Sequence, residues 1–307
     1  MAIASSSTQP SGFAGLTAQS AYRIDRLRKR ATAEHRFSTL AIWVGVFLVV
    51  VVPVVSLLGP VIGFGHPNAP NFNAILQPPS LAHPFGTDST GRDVLARVFA
   101  ATPLDYEVGL LTTLMSAVIG ILFGGIAGYF GGWLDAVIMR VVDILIAFPF
   151  MIFVMAFVAV FGPGLTGIYV GLTTFGWAFF ARVTRAEMLV IRERQYVLAA
   201  QTAGLRTSRI LRVHALPNVL RPNFVIAMAT VVWNILTLAS LSYLGLGVQP
   251  PTAEWGSIVA SGQTILLIGQ WWVSTLPGLV IVIVGVGFSL IGDGIADRFG
   301  YDFRLTV

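Results

Sequence analysis

The sequence contains no cysteine and a single lysine, Lys29, among its 307 residues. The first absence excludes disulfides and thiolate metal sites. The second excludes a phosphate-binding loop of the GxxxxGK[ST] kind: no glycine-rich stretch leads into Lys29, and in such loops the lysine reaches the phosphates. Charge is scarce altogether. Asp, Glu, Lys and Arg make up 11% of the chain, against about 25% in a soluble domain. None occurs in residues 37–87, 108–134, 144–181, 222–253 or 255–292. The four histidines (His35, His66, His83 and His214) are far apart, and none has an HxxxH partner, so no metal site is expected.

What is present is oil. The chain is 55% hydrophobic, with a mean hydropathy of +0.80. A spanning helix needs about 20 apolar residues, and the uncharged blocks have room for six, expected at 38–59, 106–130, 136–160, 165–187, 221–246 and 272–293. The third and fourth share one block and divide at FGPG, residues 161–164, where Gly and Pro together favour a turn. The expected fold class is an all-α polytopic membrane protein. Its sections are a tail over 1–36, a first anchor and outer loop over 37–105, a core over 106–295 that includes a cytoplasmic segment at 188–218, and a second tail over 296–307.

With six spans, every basic residue but Arg92 and Arg97 falls on one side of the membrane. Basic residues stay in the cytoplasm, so both termini are expected there. The net charge of +5 then reflects orientation, and no nucleic-acid partner is expected. The Ser/Thr/Ala-rich tail reads as disordered. Helix one exceeds the 7–15 apolar residues of a secretory signal and is expected to remain as an anchor.

Chemistry has little to work with. Asp105, Glu107, Asp135, Asp143 and Asp293 fall near the expected helix ends, which favours anchoring or capping over a proton relay. Asp88 and Asp93 lie in HPFGTDSTGRDV, where Gly86, Gly91 and Arg92 point to a compact hydrogen-bonded turn rather than an acid–base pair. No histidine lies within an expected span, so no serine–histidine intramembrane hydrolase is expected, and no residue is a catalytic candidate. Gly120, Gly124 and Gly128 recur every four residues and mark a face for close helix packing. Asn234, Thr237 and Ser240 are polar within a span; they suit either a translocation path or hydrogen bonds between helices.

The most elaborate polar stretch is YVLAAQTAGLRTSRILRVHALPN, residues 196–218. Residues 188–203 suit a helix continuing the fourth span, and Gly204 suits its end. Thr207 or Ser208 suits the cap of a second short helix, with Pro217 interrupting before the fifth span. The result is a bent, basic and apolar knuckle. It is too weakly amphipathic for a lipid surface and too poor in aromatics for nucleic acid. A rigid handle for a soluble protein partner fits best.

This stretch resembles the cytoplasmic EAA loop of ABC-importer permeases, whose pattern is EAA, three residues, Gly, nine residues, then I-x-LP. Here it reads Leu198-Ala199-Ala200, Gly204, then His214-Ala215-Leu216-Pro217, with Leu198 in place of Glu and His214 in place of Ile. HPFGTDSTGRDVLARV (83–98), GYFGGWLDAVIMRVVDILIAFP (128–149), IRERQYVLAA (191–200) and SYLGLGVQPPTAEWG (242–256) resemble the dipeptide/oligopeptide/nickel branch, and its C-type subunit most.

The resemblance implies a type I importer bundle in the bacterial inner membrane, with Leu198, Ala199, Ala200, Gly204, Arg209, His214, Leu216 and Pro217 coupling it to ATPase subunits. It implies no cofactor in this chain, with ATP and Mg2+ bound by two ATPase subunits, identical or different. It also implies a second permease subunit and an extracytoplasmic substrate-binding protein seated on the loops at about 60–105 and 247–271. Short peptides are the expected cargo, with nickel chelates or glutathione as alternatives, and a non-transporting scaffold or sensor as the reading from a different class.

Overall fold

The computed structural model describes residues 38–59 and 66–299. The two tails expected to be cytoplasmic lie wholly (1–36) or mostly (296–307) outside these residues. Helices dominate: α1 Ser38–Gly59, α2 Val94–Phe130, α3 Gly132–Ala147, α4 Phe150–Phe161, α5 Leu165–Arg192, α6 Gln195–Thr202, α7 Thr207–Ile210, α8 Leu216–Tyr243, α9 Trp255–Leu266 and α10 Trp272–Phe299. By length and composition, four helices can cross a membrane: α1, α2, the run from α7 through α8, and α10. Counting the bent pair α3–α4 as one broken span makes five.

Outside the polar segment at 188–218, three elements differ from expectation, each for a local reason. Helix α2 begins at Val94, not at 106, because the Asp93 carboxylate accepts the Ala96 N–H at 2.8 Å and caps it. Pro103 lies inside this extension and cannot donate to the Phe99 carbonyl. The Ser56 hydroxyl of α1 donates to that carbonyl instead, at 2.5 Å. The helix expected over 136–160 is two helices, bent by 90° at Phe148–Pro149. A residue preceding proline is pushed out of helical geometry, and Phe148 is extended, at φ −79° and ψ 141°. Part of the loop expected at 247–271 is helix α9, whose first turn is capped by Glu254 through the N–H groups of Gly256 and Ser257. The break at FGPG is where the sequence places it, with Gly162 and Gly164 at positive φ.

The axis of the molecule is the packing of α2 against α5. A Cβ on Gly120 would lie 2.5 Å from the Trp177 carbonyl oxygen. One on Gly124 would lie 2.3 Å from the Ala181 carbonyl oxygen, and one on Gly128 2.8 Å from that of Arg185. Backbone therefore meets backbone along the whole ladder, the close approach that small residues permit in a membrane. Arg192 extends the contact by donating to the Gly128 carbonyl at 3.2 Å. Around this pair, Val108, Val154, Val158, Ile168, Leu172, Leu238 and Leu241 join α2, α4, α5 and α8 in one apolar cluster. A second cluster joins α1, α2, α8, α9 and α10, with Trp255 fully buried within it.

The compact turn at 83–93 is a hub on Asp88. Its Oδ1 accepts the N–H groups of Thr90 and Arg92 and the Thr90 hydroxyl, and its Oδ2 accepts Arg92 Nε at 2.7 Å. Burial works to raise this carboxyl, but the hydrogen bonds of Thr90 and Arg92 outweigh it and hold it below the usual range. Because the folded-state value is depressed, its stabilisation is complete above the unfolded value and is lost as pH falls through the folded one. Asp88→Asn is expected to cost about 1–3 kcal/mol. The check is a thermal melt: a lower midpoint at neutral pH, with the gap to the unsubstituted chain narrowing below about pH 4. An unchanged midpoint would show that the turn does not depend on this charge.

Candidate functional site

The segment from Arg192 to Pro217 is built as an exposed knuckle on a buried base. Helix α5 ends at Arg192, and Arg194 is extended at φ −69° and ψ 140°. The single helix expected over 188–203 is therefore α5, a two-residue break and α6. No glycine or proline marks that break. Its effect is to turn Val197 and Ala200 of α6 inward. There they pack with Met188, Ile191, Ile210, Ala215 and Val219, so the knuckle has a small core of its own.

Gly204 ends α6 at φ +75°. Its N–H bonds to the Gln201 carbonyl at 2.9 Å, and the Leu205 N–H to the Ala200 carbonyl at 3.1 Å. This paired arrangement is the Schellman closure, which favours glycine at the left-handed position. Nothing lies within 4 Å of where a Gly204 Cβ would stand. Glycine is needed here for backbone geometry and leaves an open surface above it.

Beyond Gly204 the chain re-enters helix at Thr207. Its N-terminal flank is Arg206, and neither Thr207 nor Ser208 caps it. The second short helix is not separate from the fifth span. It runs through one π turn, Leu211–Ala215, directly into α8, giving a continuous helix over Thr207–Tyr243. The π turn has a physical cause. Pro217 lacks an N–H and crowds the preceding turn, and widening that turn carries the helix past it; the Leu216 N–H bonds to the Leu211 carbonyl in the π pattern.

This construction sorts the coupling candidates. Leu198, Ala199, Gly204, Arg209, Leu216 and Pro217 are exposed, Ala200 is buried in the base, and His214 is half-buried. The His214 ring lies 6.2 Å from that of Tyr196, and its carbonyl accepts from Asn218 Nδ2 at 2.8 Å. Arg206, Arg209 and Arg212 are exposed, and none forms an ion pair with a carboxylate among the described residues. The outer face is thus cationic and apolar, with Leu198 46% and Val213 58% exposed. Tyr196 and Val197 are not among the residues singled out from the sequence, and Ala200 is, but as a coupling residue rather than a core one, although the i, i+3 spacing of Val197 and Ala200 carries the signal.

Other candidates lie elsewhere. Asn234 is buried and donates to the hydroxyls of Thr112 at 2.8 Å and Thr113 at 3.0 Å, joining α8 to α2. Thr237 is buried and donates to the Trp233 carbonyl. Ser240 is exposed and donates to the Leu236 carbonyl. The α3–α4 break leaves Ala147, Phe148 and Pro149 exposed. Beside it, Phe150 meets Phe175 at 4.9 Å and Trp233 at 5.8 Å. Among the described residues, no group of three or more His, Cys, Asp or Glu could hold a metal ion.

The family described as "Binding-protein-dependent transport system inner membrane component" matches residues 120–304, more than half of the chain and all of this knuckle. The chain belongs to that family. This transport component is accordingly a multi-pass inner-membrane protein. It is 38% identical over 250 residues to the probable D,D-dipeptide transport system permease protein DdpC of Escherichia coli (strain K12), covering 81% of this chain and 84% of that protein. It is 36% identical over 263 residues to the dipeptide transport system permease protein DppC of Bacillus subtilis (strain 168), covering 85% and 81%. A solved chain of the MetNI methionine ABC transporter, in an inward-facing conformation, matches its fold with a TM-score of 0.50 at 23% identity, covering 66% of this chain and 97% of that one. The motifs read from the sequence and the curated relatives thus point to the same branch of permeases.

Proposed function

We propose that this transport component forms half of a translocation path for short peptides and is driven by cytoplasmic ATPase subunits through residues 195–218. The observation that carries the reading is the knuckle itself. It has a buried base, a fixed glycine closure and an exposed cationic and apolar face above. A loop needing only to join two spans has no use for a core of its own, whereas a handle that transmits force does. The dipeptide permeases among its relatives support the cargo.

The same reading takes α5 as a sixth span. It lies along α2 from Gly176 beside Ser116 to Arg185 and Met188 beside Gly128, so wherever α2 crosses, α5 crosses with it. Both termini are then cytoplasmic, with the sections 1–36, 37–105, 106–295 and 296–307 in the roles set out above. The exposed α3–α4 break adds support for a path. Its neighbours Phe175 and Trp233 lie about ten residues from the ends of α5 and α8, roughly 15 Å deep in a layer of about 30 Å. Irregular backbone at that depth must face protein or water rather than lipid. We place it toward a second permease subunit and the path between the two, together with Ser240. ATP and Mg2+ belong to two ATPase subunits, and the outer loops to a substrate-binding protein. ATP then acts by favouring one of two rigid-body states.

The test is purification of the chain in mild detergent with its chromosomal neighbours, followed by intact-complex mass spectrometry and dipeptide uptake in proteoliposomes. A complex of two permeases and two ATPases, with uptake that requires ATP, is expected. A chain that purifies alone and carries solute on an ion gradient would overturn the reading.

A further inference from the structure

Two carboxyls meet in the interior at the end of the molecule away from the knuckle. Asp105 of α2 and Glu254 at the head of α9 are both fully buried and lie within hydrogen-bonding reach of each other. Glu254 spends both oxygens on α9, accepting Gly256 N–H at 2.7 Å and Ser257 N–H at 2.8 Å. Asp105 accepts Trp255 N–H at 3.2 Å through Oδ2, while its Oδ1 has no partner. The buried Ser242 hydroxyl lies beside Glu254, where it can donate to that carboxyl. Two carboxylates are acceptors only, so this contact is a hydrogen bond only when a proton sits between them.

Among the described residues, no cation compensates the pair. Residues 222–253 and 255–292, which supply α9 and the facing parts of α8 and α10, contain no charged residue and no histidine, and neither does α1 over 38–59. On α2, Glu107 faces the Tyr169 hydroxyl, and Tyr106 donates to the Val49 carbonyl. Arg97 lies two turns away, engaged by Asn68 and Asp88. His83 is held by Asp93. Burial pushes the Glu254 carboxyl up from its ordinary range despite its two backbone donors.

We propose that Asp105 and Glu254 form a proton-binding site that locks α9 onto α2, releasing when the proton leaves. The lock has a mechanical seat. Trp255, next to Glu254, donates its backbone N–H to Asp105 and its indole N–H to the Val98 carbonyl at 3.0 Å. Its ring meets Tyr106 edge-on at 6.0 Å. Loss of the shared proton leaves two like charges facing each other in a fully buried site, and moving α9 outward relieves them. Because the folded state holds the extra proton, the lock is complete at low pH and weakens as pH rises.

The absence of cysteine makes the test direct. Ala100 on α2 and Ser261 on α9 are exposed, so the full chain in lipid nanodiscs can be spin-labelled through Ala100→Cys and Ser261→Cys. One short distance is expected at acidic pH, lengthening or broadening as the pH is raised, with a melting temperature falling by roughly 3 °C per pH unit beyond the midpoint. Asp105→Asn, which carries its own donor to Glu254, is expected to keep the short distance and a flat melting profile throughout. A variant that follows the unsubstituted chain through the same pH change would overturn the proposal. So would sodium restoring the short distance at high pH, since a metal cation would then be the ligand. If Asp105→Asn does not assemble, Asp105→Ser supplies a hydroxyl donor in its place. If neither assembles, a label distance in the unsubstituted chain that ignores pH overturns the lock, and one that lengthens with pH supports it.

Discussion

Gly124→Leu is expected to abolish assembly of the protein in the membrane, at a cost above about 3 kcal/mol. Even a methyl group at this position would stand 2.3 Å from the Ala181 carbonyl oxygen and 2.8 Å from its Cα. These are backbone atoms of α5, so no rotamer change can relieve the overlap. Helices α2 and α5 would have to separate along the contact that begins at Gly120 and ends where Arg192 reaches Gly128. The control is the next residue. A Cβ on Gly125 meets only the flexible tip of Met188, at 3.7 Å, so Gly125→Leu is expected to be nearly neutral. Resistance to heat and detergent after purification from membranes provides the comparison. Equal losses in the two variants would mean that the glycine ladder does not serve this packing.

The second large effect is functional rather than structural. Gly204→Asp should insert and fold normally yet lose coupled transport. The side chain enters open space, and Asp is among the residues that visit the left-handed region, so the local cost is about 1–2 kcal/mol at most. At an interface the same carboxylate would fill the gap into which a partner must fit. A lost contact of about 2 kcal/mol is roughly a 30-fold loss, and ATP-dependent dipeptide uptake is expected to fall at least that far. Gly204→Ala imposes the backbone strain without the bulk or charge and is expected to retain most transport. The informative pattern is the split between the variants in transport, with equal amounts of both in the membrane. Normal uptake by Gly204→Asp would sink the docking role of the knuckle.

These two glycines show different ways in which a sequence carries meaning. The regular spacing of Gly120, Gly124 and Gly128 is visible in one dimension, because four residues return a helix nearly to the same face. What they touch is not visible, because α5 is more than fifty residues further along the chain. Gly204 could be read as a helix end from its local setting alone. Its openness to a partner is a property of the folded surface.

The sequence is legible where the physics is local and periodic. Uncharged blocks long enough to cross a bilayer, the turn at FGPG and the hydrogen-bonded loop around Asp88 follow from composition, dihedral preference and short-range donors. The π turn before Pro217 and the break at Phe148–Pro149 also have local causes. At Phe148–Pro149 a long apolar run hid the proline's effect, whereas Pro217 suited an interruption and the helix instead widens to pass it.

The remaining features depend on residues that only folding brings together. Asp105 and Glu254 are separated by 149 positions in the chain, and each alone suits an ordinary helix-end acid. Asn234 finds Thr112 and Thr113 across 122 and 121 positions, and nothing in its own span points to them. From sequence alone came a membrane protein with a bent polar handle and a family resemblance, because hydropathy and motif spacing are properties of consecutive residues. Only the tertiary structure decided that the handle has its own core and that two acids meet in one buried site, because burial and contact are set by which helices pack together.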